Sequence, residues 1–175
     1  MTPVFVSLGS NVDAAANLNR AVQALALRCH LVAVSSVYES TAVGGMAQAN
    51  YLNAAVLIQT DLSAADLKLL VLRPVESLMG RTRFADKSTP CIIDLDLSLY
   101  DDQILQIGQR HIPDPDILCY AYVAIPLADL APLFPHPETG KTLGAIAQSL
   151  ASSDLVQRLD LSLWPNQPRP VGESK

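Results

Sequence analysis

The chain is short of several things at once. It has three cysteines, Cys29, Cys91 and Cys119, an odd number without metal-like spacing. That excludes a disulfide framework and points to a reducing, cytoplasmic compartment. Positive charge is scarce: twelve Lys and Arg against seventeen Asp and Glu give a formal net charge of −5. General affinity for nucleic acid is excluded, and an anionic ligand would need a local cluster of cations or a metal. Apolar stretches such as Ala54 to Ile58 fall far below a membrane span, so no membrane association is expected. Val4-Phe5-Val6-Ser7-Leu8 opens the chain without a basic leader region, so no signal peptide is expected. Gly9-Ser10-Asn11 lacks the length and the lysine of a P-loop. His30, His111 and His136 have neither triad nor zinc spacing and read as surface or packing residues.

What is present is a globular domain. Of 175 residues, 50% are apolar and only 17% charged, which excludes a disordered chain and suffices for one real core. Repeats and linkers are missing. One domain over 1–160 is expected, followed by a tail over 161–175 that is loose from Pro165 onward.

Periodicity gives the order of elements. Val4 to Leu8 reads as a buried strand, followed by a helix N-cap at Asn11 or Asp13. Leu18, Ala21, Val22 and Leu25 then mark an amphipathic helix. Leu31 to Tyr38 reads as a second strand, Glu39 to Ala49 as a loop, and Tyr51 to Thr60 as a third strand. Ser63 to Asp66 resembles a capping box. Leu67, Leu70, Val71, Val75 and Leu78 mark a second helix that Pro74 should kink and Gly80 should end. A mainly basic loop, Arg81 to Pro90, leads into a fourth strand. The order is β-α-β-β-α-β, a ferredoxin-like α+β arrangement, with additional C-terminal helices over Tyr122 to Leu130 and Leu143 to Leu150.

The fourth strand carries the strongest chemical pattern. Ile93, Leu95, Leu97 and Leu99 alternate with Asp94, Asp96 and Ser98, which places the two carboxylates on one face about 6.5–7 Å apart. Such a pair suits Mg²⁺, which takes one or two carboxylates and leaves its other positions to water and phosphate; alone it is also compatible with two solvated acids. Tyr51 and Asn53 share a face of the third strand and could floor a site for a flat polar ring. Arg81 and Arg83 suit phosphate oxygens, or equally the end of a helix dipole. Together these suggest a nucleotide–Mg²⁺ site beside a heterocycle site.

The chain resembles the 6-hydroxymethyl-7,8-dihydropterin pyrophosphokinase family of folate biosynthesis. The resemblance runs from about Val4 to Leu150. It is carried by Ser7-Leu8-Gly9-Ser10-Asn11, Val34 to Glu39, Gln48 to Val56, Glu76 with Gly80-Arg81-Thr82-Arg83, Ile93-Asp94-Leu95-Asp96, and Pro126 to Pro132, in that order and spacing. It implies transfer of the β,γ-pyrophosphoryl unit of ATP to the pterin's hydroxymethyl group, leaving AMP. It implies two Mg²⁺ ions on Asp94 and Asp96, and a pterin held by Ser40, Thr41, Ala42, Val43, Tyr51, Asn53 and Tyr122. Arg81 and Arg83 match catalytic arginines. Glu76, Arg83 and Lys87 fall on the ATP side, where Arg110 is a further candidate. A monomer acting on small-molecule substrates is expected.

The chain departs from the family pattern on the ATP side. Before the acids the family has an arginine where this chain has Cys91, and Thr89 replaces a glycine. The family's Pro-His-Pro is here Pro113-Asp114-Pro115, and its following arginine is Cys119 or Tyr120. Two readings follow: a working enzyme of reduced turnover, or a degenerate paralogue that binds pterin or a partner without catalysis. A ferredoxin-like regulatory module is a third, resting on fold alone.

Overall fold

A computed structural model describes residues 1–41, 49–81, 90–151 and 154–163. Ala42, Val43, Arg83 and Lys87 lie outside the described residues.

The order of elements is β1 (Thr2–Ser10), α1 (Ala14–Ala26), β2 (His30–Val34), β3 (Tyr38–Ser40), β4 (Tyr51–Thr60), α2 (Ala64–Asp66), a π-helical turn (Leu67–Leu72), α3 (Arg73–Leu78), β5 (Asp94–Tyr100), β6 (Leu105–Ile107), β7 (Arg110–Ile112), α4 (Ala121–Leu130), α5 (Leu143–Leu150) and β8 (Leu155–Gln157). The main sheet runs β5-β1-β4-β3-β8, with β2 also on β4 and all pairings antiparallel. This is the expected ferredoxin-like sheet, extended at one edge by β8. Leu18, Ala21, Val22 and Leu25 of α1 pack with Leu67, Val71, Leu72 and Val75 on one face of it. On the other face Val123 and Leu127 of α4 and Leu143 and Ile146 of α5 cover Phe5, Ala55 and Leu99. Leu163 is buried in the first of these layers.

Several local expectations are corrected. The second strand is two: Val34 pairs with Val56 and Tyr38 with Asn53, so one extra residue is accommodated between them. There Ser35 bonds both ways with the backbone of Ala55, its N–H donating to the carbonyl and its hydroxyl accepting from the amide. β5 carries a bulge opposite Phe5 and Val6, which pair with Leu99 and Leu97. The bulge at Ser98 sends Leu99 to the α4 side, while Leu95 and Leu97 stay on the α1 side. Asp13, one of the two expected candidates, is the N-cap residue of α1, at a left-handed φ of 41° and without a side-chain cap bond. Ser63 does cap its helix, its hydroxyl accepting from the Asp66 N–H at 3.1 Å.

The helix after Ser63 is the largest correction. Pro74 kinks no helix interior; it stands in the first turn of α3, directly after the π-helical turn. Proline has no N–H to offer the carbonyl four residues back and its ring would meet that carbonyl. A wide turn with i→i+5 bonding, in which the Arg73 N–H reaches the Lys68 carbonyl, ends just before it. The widening changes the phase of the buried face. Lys68, Leu72 and Glu76 turn inward, while Leu70 and Leu78 are 61% and 70% exposed.

Candidate functional site

Gly9 of β1 pairs with Asn53 of β4 on one side and Asp94 of β5 on the other, and Ser7 pairs with Ala55 and Asp96. This register brings residues from three strands to one end of the sheet. A cavity of about 280 Å³ opens there, floored by Gly9, Tyr51 and Asn53 and walled by Ser40, Thr41, Tyr122 and four carboxylates, Asp94, Asp96, Asp114 and Asp116. A Cβ on Gly9 would stand 3.7 Å from Asn53 Oδ1 and 3.9 Å from Tyr51, so a larger side chain there would take up the floor.

The cavity walls are fixed from behind. Asn53 is buried, and its Nδ2 donates to Ser40 Oγ at 2.9 Å and to the Tyr38 carbonyl at 3.4 Å. Tyr122 stacks on Tyr120 with ring centroids 5.1 Å apart. Burial, reinforced by Asp116, pushes the Tyr122 phenol up to about 12, so it stays protonated at neutral pH. Ser7 and Ser98 share a hydrogen bond of 2.6 Å at the base of the strand pair.

The two central acids are each held by cations. Asp94 Oδ1 accepts from Arg81, which also reaches Glu76. Glu76 is 3% exposed, lines neither cavity described here, and accepts from the Leu95 N–H at 3.0 Å. It thus sits under the site, fixing Arg81 and the backbone of β5. Asp96 Oδ1 meets Arg110 at 2.9 Å and Lys68 Nζ at 3.4 Å. Arg110 is also 3.8 Å from Asp114 Oδ2, while Asp114 Oδ1 accepts from the Asp116 N–H at 3.0 Å. Burial raises the Asp114 carboxyl above its usual range, and the Asp96 charge adds to this.

The cations that hold Asp96 also line a second cavity, of about 380 Å³, with Lys68, Arg73, Arg110, Leu69 and Ile107 in its walls. Asp96 lines the first, aromatic and amide-lined cavity, and the two cations that pair with it line the second. The pair Asp94 and Asp96 fits Mg²⁺ by its donor chemistry: hard oxygens, partly exposed, beside a polar cavity with room for water and phosphate.

The sequence-level site is thus partly assembled. Ser40, Thr41, Tyr51, Asn53, Asp94, Asp96 and Tyr122 converge on one cavity. Arg81 and Arg110 grip its acids from outside. None of His30, His111 and His136 lines either cavity. Cys91, where the resemblance puts an arginine, has its thiol 4.0 Å from the Gly9 carbonyl. Burial, then Asp94, pushes that thiol up to about 11, so it is neutral there. Cys119 is exposed and lines neither cavity. Lys68, Arg73 and Asp116 were missed. The signal for Lys68 was a lone cation inside an apolar run, Leu67 to Leu72.

Fold and site define a class: a ferredoxin-like α+β domain whose carboxylate pair lines an aromatic pocket and is held by cations, two of which line a second cavity. The family model for 7,8-dihydro-6-hydroxymethylpterin-pyrophosphokinase matches residues 5–132. A Synechocystis protein named 2-amino-4-hydroxy-6-hydroxymethyldihydropteridine pyrophosphokinase is 34% identical over 93% of this chain and 80% of its own length. An Aquifex aeolicus protein of the same name is 34% identical over 82% of this chain and 89% of its own. A Plasmodium falciparum HPPK-DHPS structure with pteroate shares the fold at TM-score 0.70 and 11% identity; 89% of this chain covers 47% of that one. The chain belongs to the 7,8-dihydro-6-hydroxymethylpterin-pyrophosphokinase family.

Proposed function

We propose that this protein transfers the β,γ-pyrophosphoryl unit of ATP to the hydroxymethyl group of 6-hydroxymethyl-7,8-dihydropterin, leaving AMP, as a step of folate biosynthesis. The observation that carries this reading is Asp96, which lines the first cavity and pairs with Lys68 and Arg110, two cations that line the second. The pterin ring takes the first cavity, against Tyr51 and Tyr122, with its polar edge toward Asn53, Ser40 and Thr41. The nucleotide takes the cationic cavity, with its phosphates toward Arg110 and Arg73. The hydroxymethyl oxygen then attacks the β-phosphorus and gives up its proton, and the bond to the oxygen that AMP keeps is broken.

Asp94 and Asp96 would hold Mg²⁺, two ions in this reading. A metal held there would offset the triphosphate charge and polarise the phosphoryl group toward attack. The chain's own residues supply positioning and counter-charge, which is most of what such a transfer requires. Arg81, anchored on Glu76, keeps Asp94 turned toward the cavity. We place the protein in the cytoplasm as a monomer; among the described residues no helix is long and apolar enough to cross a membrane.

A second reading has a specific observation behind it. Among the described residues the pterin cavity is lined by four carboxylates and no cation, and Cys91 beside it is a neutral thiol. A chain that binds pterin without transferring pyrophosphate would look like this. An assay of AMP release from ATP and the dihydropterin separates the two. Release that depends on both substrates and on Mg²⁺ supports the enzyme; saturable pterin binding without release supports the second reading.

A further inference from the structure

Lys68 is a buried cation that the reading above leaves without a role. It is 8% exposed, unusual for a lysine unless it is paired. Its position follows from the local sequence: the wide turn that ends before Pro74 rotates Lys68 to the sheet side. There its ammonium stands 3.4 Å from the same Asp96 oxygen that Arg110 contacts at 2.9 Å. Lys68 and Arg110 also line the cationic cavity, together with Arg73.

The charge balance of this group is informative. Asp96 and Asp114 offset Lys68 and Arg110, so without metal the four are neutral together. A divalent ion on Asp96 would compete with both cations for one oxygen. Its arrival would take Asp96 from Lys68 and give the group two net positive charges beside a cavity, a costly state unless an anion enters with it.

We infer that Lys68 is a positioning residue that couples metal to nucleotide: it guards Asp96 against metal alone and turns to the phosphates when metal and nucleotide arrive together. The inference rests on the proposed function, since it needs Mg²⁺ on Asp96 and a triphosphate in the cationic cavity. It also gives this chain a cation on the side where Cys91 and Asp114 remove two.

The test is Lys68→Met in the full chain, read by two titrations. Mn²⁺ alone, followed by electron paramagnetic resonance, should bind tighter in the variant, because a competitor is gone. A non-hydrolysable ATP analogue with Mg²⁺, followed by calorimetry, should bind on the order of tenfold to a hundredfold more weakly, the scale of one charged hydrogen bond. Arg110 still pairs Asp96, so the variant should melt close to the parent. Lys68→Arg should restore nucleotide affinity. Shifts of both ligands in the same direction, or of neither, overturn the inference, as does an arginine variant as weak as the methionine one. A parent chain that takes up no Mg²⁺–nucleotide at all overturns the proposed function and the inference with it. Normal uptake by the parent with an indifferent Lys68→Met overturns the inference alone.

Discussion

Asn11 and Cys91 are bonded to each other through both strands' ends: the Cys91 N–H donates to Asn11 Oδ1 at 2.6 Å, and the Asn11 N–H donates to the Cys91 carbonyl at 2.9 Å. The clamp ties the end of β1 to the entry of β5 and so sets Gly9 against Asp94. Asn11→Ala removes the side-chain half. We expect a loss of about 1 kcal/mol of stability in urea unfolding, the net worth of such a bond. Pterin affinity should fall with it, because the pocket floor is no longer pinned. Unchanged affinity at reduced stability would show that the clamp serves the fold alone.

Tyr51→Ala should weaken pterin binding by roughly 1–3 kcal/mol, through lost stacking and burial. Tyr122→Ala should do the same, with an added cost to Tyr120, which loses its stacking partner. Fluorescence titration of each variant with the pterin checks this. Full affinity in both would place the ring elsewhere.

The acids and the ring floor were legible in the sequence because strand alternation is regular where they lie: Asp94 with Asp96, and Tyr51 with Asn53. Legibility failed wherever the repeat changes phase. The bulge at Ser98 moved Leu99 to the other face. The wide turn before Pro74 hid Lys68 and exposed Leu70 and Leu78. Arg110 could not be placed because the hairpin that presents it, β6 with β7, has strands of three residues each, too short for a periodic signal. Glu76 was recognised by resemblance, but its task of holding Arg81 and the Leu95 N–H is a tertiary fact.

Asp94→Asn should abolish Mg²⁺-dependent nucleotide binding while keeping the fold, since Arg81 retains Glu76. Calorimetry with Mg²⁺ and an ATP analogue, paired with a thermal melt, checks both halves. A lowered melting temperature with normal Mg²⁺–nucleotide affinity would mean the carboxylate is structural.

His136 gives the fold a specific acid sensitivity. It is buried; its Nδ1 accepts from the Glu138 N–H at 3.3 Å, while its Nε2 is buried without a hydrogen-bond partner among the described residues. Burial lowers its pKa; Glu138 opposes this and His111 adds to it. The unfolded chain therefore binds a proton first as pH falls below about 6.5. The stability contributed by neutral His136 is full above that pH and is lost as pH falls toward the folded-state value. His136→Gln should flatten this part of a stability-against-pH curve in urea unfolding; an unchanged slope would assign it to other groups.

Restoring the family's cations should raise turnover if their loss limits it. Cys91→Arg places a guanidinium near Asp94 and the Gly9 carbonyl, and Asp114→His removes an anion from the cavity wall. Oxyanion-type contacts are worth about 2.7–4 kcal/mol each, although coupled groups do not add. Initial rates of the single and double variants should rise stepwise with pterin affinity nearly constant. Variants no faster than the parent would show that Lys68 and Arg110 already make up the charge.

AMP release shows whether the pterin pocket and the cationic cavity, linked through Asp96 and its two cations, work together as a transferase. With ATP, 6-hydroxymethyl-7,8-dihydropterin and Mg²⁺, the unmodified chain should produce AMP and the pyrophosphorylated pterin in equal amounts. Omission of Mg²⁺ or Asp96→Asn should stop both. A folded chain that binds the pterin yet releases no AMP would contradict the account.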